Sequence, residues 1–414
     1  MKNVLKNVRE EWVLICFIAA QIYRRAMPHP RFCFPAVILL ALTFVPASTS
    51  AADLLIYFGT RDQGPDKGFS LAHFNTETGA LTQPELIQPA IGPGFFMVHP
   101  DGRHLYTVNS HGGTDAPLEG MVSAYELDPK MGKLTLINSQ PSGGQNPAYL
   151  SFDHTGRFVF IANYNGGNVA VFPIKPDGSL GARTAFDQHT GKSVTPDRAQ
   201  QPYAHSIIVD PTNHFALCQD LGLDRVYVYK FDEKTGQLTA NDPAWFTDQP
   251  GSGPRHATFS PDGKFAYVVH EIGNFVGVYA WDSAKGVLTE IQTISTIPAD
   301  FKNKNTAAEV QVHPNGKFLY ASNRGHNSIA VFSIDPASGK LALLQHISTQ
   351  GNTPRNFTFD PTGQWIVASN QDSKTAIVFK VDPKTGLLTQ TGPLATLPAS
   401  VYCERFVPAP SAAK

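Results

Sequence analysis

Residues 253–271 read GPRHATFSPDGKFAYVVHE. Arg255 and His256 precede one alternating apolar run, Glu271 follows a second, and a Pro-Asp-Gly turn separates the two. An arginine presents a planar fork of N–H donors to a carboxylate, a phosphate or a developing oxyanion. A histidine exchanges protons near neutral pH, and a glutamate can take a proton itself or orient the histidine that does. The same residue types recur at matching places elsewhere. His205 in YAHSI, Glu309 in AAEVQ and Arg355 in TPRNF precede an apolar run, as Arg255 does. Asn163 with Tyr164, Asn323 with Arg324, and Asn370 with Gln371 follow one, as Glu271 does. Two competing readings are structural. An asparagine after a strand often caps the turn with its own side chain, and arginines and glutamates at such places can be ion pairs that only hold elements together.

The elements that must position these residues are repeats. One class of turn occurs as HPDG (99–102), DHTG (153–156), DPTN (210–213), SPDG (260–263), HPNG (313–316) and DPTG (360–363), about fifty residues apart. Each lies between short apolar runs such as FVFIAN, FAYVVH and WIVASN. A second class follows a third run: NTETGALT (75–82), DPKMGKLT (128–135), KPDGSLG (175–181), DEKTGQLT (232–239), DSAKGVLT (282–289), DPASGKLA (335–342) and DPKTGLLT (382–389). Pro and Gly at these offsets are turn chemistry, and the runs between have strand length and composition. No stretch keeps a helical period.

Each unit therefore reads as a four-stranded antiparallel meander. There are seven copies of the second turn against six of the first. The first unit opens at LLIYFGT (54–60), which matches a second strand, and the chain ends with SVYCERFV (400–407), which matches a first. This predicts an all-β fold, a seven-bladed β-propeller over residues 53–410, closed by a C-terminal strand that completes the first blade. In such a blade, the connection into strand one and the turn out of strand two share one side of the disc, near the axis. His205, Arg255, Glu271 and Arg324 are expected together at one mouth, with Asn163, Tyr164, Glu309, Asn323, Arg355 and Asn370 as ligand-binding residues around them. Concave, few and polar describes a small-molecule site.

Composition narrows the classes. The 414 residues carry a formal net charge of −1 with no long basic run, which excludes nucleic-acid binding through a broad positive surface. Residues 1–52 differ from the rest. FCFPAVILLALTFVPA (32–47) follows Arg24, Arg25 and Arg31 and precedes the small residues STSAA, the plan of an export signal with Met27 as its start. The run is short and proline-interrupted, so no stable membrane insertion of the mature domain is expected. The expected location is periplasmic or secreted, or cytoplasmic if this segment is upstream sequence read as coding. Of Cys16, Cys33, Cys218 and Cys403, the last two survive cleavage. They lack CxxC spacing, so a metal site is not indicated, and one disulfide between them is open.

The phrases YAHSIIVDP, GPRHATFSPDGKFAYVVHE, AAEVQVHPNGKFLYASNRGHNSIAVF and TPRNFTFDPTG resemble the seven-bladed propeller lactonases, of the bacterial 6-phosphogluconolactonase and fungal 3-carboxy-cis,cis-muconate lactonizing types, over about residues 54–408. The resemblance implies a sugar-lactone hydrolase without metal or other cofactor. It puts the family's catalytic histidine on His205, its catalytic glutamate on Glu271 and its two catalytic arginines on Arg255 and Arg324. A monomer or weak dimer is expected. The alternatives are a muconate-type cyclase, a metal-dependent gluconolactonase using Glu309, Asn163, Asn323 and Asp220, and a non-catalytic binding propeller in the envelope. Nothing resembles a nucleophile elbow, so a covalent serine route is not indicated.

Overall fold

The computed structural model describes residues 53–407 except 63, 65–66, 91, 110–118 and 193–200. The expected targeting segment 1–52, with Cys16 and Cys33, lies outside the described residues, as do residues 408–410 at the end of the expected domain. The described residues form twenty-eight strands, β1–β28 in chain order, in seven four-stranded antiparallel sheets. No helix among them is long and apolar enough to cross a membrane.

The innermost strands are β4 (Pro93–Val98), β8 (Pro147–Phe152), β12 (Ala204–Val209), β16 (Pro254–Phe259), β20 (Thr306–Val312), β24 (Pro354–Phe359) and β28 (Val401–Phe406). Their second-strand neighbours are β5 (His104–Asn109), β9 (Phe158–Asn163), β13 (Phe215–Asp220), β17 (Phe265–His270), β21 (Phe318–Arg324), β25 (Trp365–Asn370) and, against β28, β1 (Asp53–Thr60). The last pair is the closure expected from the split repeat. β28 runs antiparallel to β1, with Tyr57 opposite Arg405 and Gly59 opposite Cys403. The sheet order β28-β1-β2-β3, where β2 is Gly68–Asn75 and β3 is Glu85–Pro89, makes the first blade from both ends of the ring.

Second strands are apolar on both faces because each blade is covered by its two neighbours; β9, β13, β17 and β25 are buried at every position. Between the third and fourth blades, Phe160 and Val171 pack with Ile207, Cys218 and Phe231. Outer strands such as β15 (Gln237–Thr247) are mostly exposed, so they alternate less strictly. Blades are also stapled by hydrogen bonds. The hydroxyls of Tyr57, Tyr106, Tyr267 and Tyr320 donate to the carbonyls of Gly132, Gly178, Gly339 and Gly386, at 2.7, 2.7, 3.1 and 2.7 Å. Each acceptor is the turn glycine of the next blade, at φ between +67° and +79°, a conformation that favours glycine. Cys218 and Cys403 are separate, buried free thiols.

Every innermost strand slips register near its start. In β16, Pro254 pairs with His270 and His256 with Val269, so Arg255 has no opposite number. The same slip leaves out Gly94 in β4, Ala148 in β8, His205 in β12, Arg355 in β24 and Tyr402 in β28. In β20 it falls between Ala307 and Val310. A bulge turns its extra residue out of the ladder and re-aims the side chain. Repeated around the ring, it turns His205, Arg255, Arg355 and Tyr402 out of their ladders near the same mouth.

Candidate active site

The bulges and the turns after the second strands build a cavity of about 170 Å³, lined by Arg61, Asn146, Ala148, Tyr164, His205, Glu271, Arg324 and Arg355. A pocket of about 10 Å³, water-sized, is lined by Gly94, Phe95, Arg255, His256, Asn356 and Tyr402 together with Arg61, Ala148 and Arg355. An open groove of about 630 Å³ shares Arg324 and Arg355 with the cavity and runs past Lys304, Asn327, Asn352 and Gln371.

Arg255 and Glu271 touch directly. Arg255 Nε donates to Glu271 Oε2 at 2.9 Å, and Arg324 Nη2 lies 2.9 Å from the same oxygen. His205 Nε2 stands 3.9 Å from that oxygen, beyond a hydrogen bond. The His205 ring meets Tyr164 and His256 edge-to-face, with centroids 5.3 and 5.1 Å away. Its Nδ1 is buried and has no hydrogen-bond partner among the described residues. Burial, then the charges of Arg255, Arg355 and Arg324 with His256, hold His205 well below the usual imidazole pKa, so the ring is neutral at neutral pH.

Under this group runs a chain of buried hydrogen bonds. Arg255 Nη1 donates to the Ala308 carbonyl at 2.8 Å and lies 3.1 Å from His256 Nε2. His256 Nδ1 is 3.3 Å from Glu309 Oε1. Burial and Arg255 push His256 down to about 4, so it is neutral, its Nε2 accepting from Arg255 and its Nδ1–H pointing at Glu309. Burial would raise Glu309, but His256, Arg405 and Arg255 outweigh it and keep the carboxyl below its usual range. Asn356 Nδ2 also donates to Glu309, and Arg405 Nη1 donates to Asn356 Oδ1 at 2.7 Å. Burial, then the repulsion of Arg324, lower Arg255 to about 10, still a cation at neutral pH.

Of the residues expected at the site, His205, Glu271, Arg324, Tyr164 and Arg355 line the cavity. Arg255 lines the small pocket and joins the cavity to the buried chain. Glu309 sits in that chain. Asn163 and Asn370 end β9 and β25, and Asn323 is the last residue but one of β21, with their amides engaged by neighbours: Asn163 with Ser142 and Asn168, Asn323 with Thr296 and Asn305, Asn370 with the Thr349 carbonyl and Thr375. Asp220 is bonded to His189 at 2.6 Å and caps the Tyr203, Gly222 and Leu223 amides. The four donors of the metal-dependent alternative are thus engaged separately. Among the described residues, the His/Cys/Asp/Glu group with ligand atoms close together is His99, Asp101 and His104, at a turn of the opposite disc face.

Arg61, Tyr402, His256, Asn356 and Arg405 were not singled out as site residues from sequence. Arg61 and Tyr402 obey the rule that found the others. Arg61 follows the second strand LLIYFGT of the first blade, and Tyr402 lies in its first strand, at the opposite end of the chain.

A family model described as lactonase, 7-bladed β-propeller, matches residues 55–404. The chain belongs to this lactonase family. The lactonase is 37% identical to a Bacillus subtilis protein named 6-phosphogluconolactonase, over 73% of this chain and 84% of that one. It is 32% identical to a Formosa agariphila protein of the same name, over 72% and 83%. Among solved structures, a periplasmic gluconolactonase of Pseudomonas aeruginosa superposes with a TM-score of 0.81 at 33% identity, covering 87% of this chain and 100% of that one.

Proposed function

We propose that this lactonase hydrolyses the ring ester of a sugar lactone in the 170 Å³ cavity, with His205 as the proton carrier. The observation that carries the reading is the buried His205, its Nε2 3.9 Å from Glu271 Oε2, in a cavity that also presents Arg324 and Arg355. That volume is small beside the ~300–1,000 Å³ of drug-sized sites, and it suits one sugar ring. A water beside His205 Nε2 gives up its proton as its oxygen attacks the lactone carbonyl carbon. Glu271 stabilises the imidazolium that forms, and the guanidinium groups of Arg324 and Arg355 neutralise the oxyanion. Collapse of the intermediate breaks the ring C–O bond. The imidazolium returns its proton to the leaving alkoxide, and an open-chain hydroxy acid remains. Arg255 is a positioning residue here, holding Glu271 through Nε and the buried chain through Nη1.

Export is part of the proposal. Its supports are the basic, apolar and small-residue order of 24–52 and the structural likeness to a gluconolactonase described as periplasmic. We further propose that one chain suffices, since the cavity's described lining comes from one ring.

Titration of acid release at constant pH, with D-glucono-δ-lactone and its 6-phosphate as substrates, tests the chemistry. The wild type is expected to exceed spontaneous hydrolysis with or without EDTA. His205→Asn and Glu271→Gln are each expected to lower kcat by about 10²–10³-fold while keeping the native circular dichroism. Folded variants with full activity, or activity abolished by EDTA, would refute the proposed chemistry.

A further inference from the structure

On the disc face opposite the cavity, the turn HPDGRH (99–104) between β4 and β5 brings two imidazoles to one carboxylate oxygen. His99 Nδ1 lies 3.0 Å and His104 Nδ1 2.7 Å from Asp101 Oδ2, and the three groups offer ligand atoms within 4.8 Å of one another. The backbone fixes how each group points. His99 Nε2–H donates to the Gly156 carbonyl of the next blade at 2.9 Å, and the Asp101 amide donates to His99 Nδ1 at 3.2 Å, so Nδ1 carries a lone pair. The Arg103 and His104 amides donate to Asp101 Oδ1 at 2.8 and 3.2 Å, which leaves Oδ2 to the rings. A lone pair facing a carboxylate oxygen at 3.0 Å is repelled unless a positive charge, a proton or a metal ion, lies between them.

The repeat supplies a control within the chain. The turn HPNGKF (313–318) has the same histidine: His313 Nε2 donates to the Gly363 carbonyl at 2.8 Å, and its Nδ1 accepts from the Asn315 amide at 3.1 Å. There Asn315 stands in place of Asp101 and Phe318 in place of His104. Turn capping therefore accounts for His99 and for one oxygen of Asp101, but not for His104. The second strands β9, β13, β17, β21 and β25 begin with Phe158, Phe215, Phe265, Phe318 and Trp365, each packed on a turn glycine of the next blade as His104 is on Gly178. An imidazole where five blades place a large apolar ring, with a nitrogen aimed at an anchored carboxylate, points to ligation and not to packing.

We propose that His99 Nδ1, Asp101 Oδ2 and His104 Nδ1 bind one divalent transition-metal ion of the zinc class, which clips the second blade to the third. Two imidazoles and a carboxylate are a donor set for Zn²⁺, whereas Ca²⁺ and Mg²⁺ take oxygen ligands. Ligand atoms about 2.0–2.2 Å from Zn²⁺ stand roughly 3.3–3.5 Å apart at tetrahedral angles, so the cluster opens by about 0.3–0.6 Å to admit the ion. The side chains of His99, His104 and Asp101 are 14, 15 and 25% exposed, which leaves the ion a route in and water as its remaining ligand. The carbonyl bonded to His99 Nε2–H is the outer partner that a ligating histidine commonly has. Both histidines touch the third blade, at Gly156 and Gly178, so the ion ties the seam between the two. It lies on the face away from the cavity and takes no part in lactone hydrolysis.

The test uses the untagged chain, stripped with EDTA and then freed of it, with ZnCl2 as the probe. Its readouts need no lactone, so they stand apart from the hydrolase reading. Calorimetry is expected to show one Zn²⁺ per chain, and Zn²⁺, but neither Mg²⁺ nor Ca²⁺, is expected to raise Tm. His104→Phe supplies the residue type that four other blades use, so the packing is kept, and Zn²⁺ affinity is expected to fall about a hundredfold or more. Asp101→Asn copies the HPNG turn, whose amide oxygen still caps it, and is expected to lower the affinity about tenfold or more. Absence of saturable Zn²⁺ binding to the wild type, or binding that either folded variant keeps within about twofold, overturns the site.

Discussion

At the scale of single residues, His205 sets how the lactonase should respond to pH. Its pKa is held well below the ordinary imidazole value of 6.5 by burial and by the arginines around it. A proton acceptor works in its neutral form, and a lowered pKa keeps it neutral into acid. The expected profile of kcat/KM therefore stays level through pH 6.5 and falls only at lower pH. Arg355 is one of the charges that lower His205. Arg355→Ala should accordingly move the acid limb upward, towards 6.5, as well as weaken substrate binding. The shape of the pH profile, not the absolute rate, is the measurement. An unmoved limb would mean that His205 is not the group being titrated. The types and spacing of His205, Arg255, Glu271 and Arg324 were legible in the sequence because each flanks a strand at the same offset. That Arg255 binds Glu271 directly was not, since side-chain reach across a mouth depends on how far the bulge turns each residue.

At the scale of elements, the closing strand β28 carries a cost as well as a function. Glu404 is fully buried, and burial raises its carboxyl from 4.5 to about 8 despite the nearby Arg405. In the unfolded chain it ionises near 4.5. Its contribution to stability is thus fully present below pH 4.5 and is lost as pH rises through about 8. The loss is on the order of 1 kcal/mol per pH unit across that window. Glu404→Gln should raise Tm over the wild type by an amount that grows from pH 5 to 8. Melting curves with a pH-independent difference would contradict this. Most of the strands were legible, since turn residues bound their apolar runs; the short outer strand Ala185–Gln188 was not, because its sequence reads as part of a long insertion. The repeated bulges were not. A run such as PRHATF alternates in much the same way with or without one extra residue, and the slip appears only once partners are paired. Asn163, Asn323 and Asn370 illustrate the consequence. Their place after a second strand resembles that of Glu271 and Arg324, but their short side chains reach neighbouring hydroxyls and carbonyls, not the cavity.

At the scale of the whole molecule, ring closure makes one site out of residues distant in sequence. The count of seven second-class turns against six of the first, with the unmatched strands at the two ends, was enough to infer closure from the sequence. It also held the clue to Arg61 and Tyr402, which become neighbours only when β28 completes the first blade. The central claim is that lactone chemistry takes place where these blades converge. A crystal structure of Glu271→Gln with a bound aldonate product tests it most directly. The ligand carboxyl is predicted in the 170 Å³ cavity, within hydrogen-bond distance of His205 Nε2 and of Arg324 or Arg355. A ligand seated only in the groove past Lys304 and Asn352, or on the opposite face near His99 and His104, would contradict it.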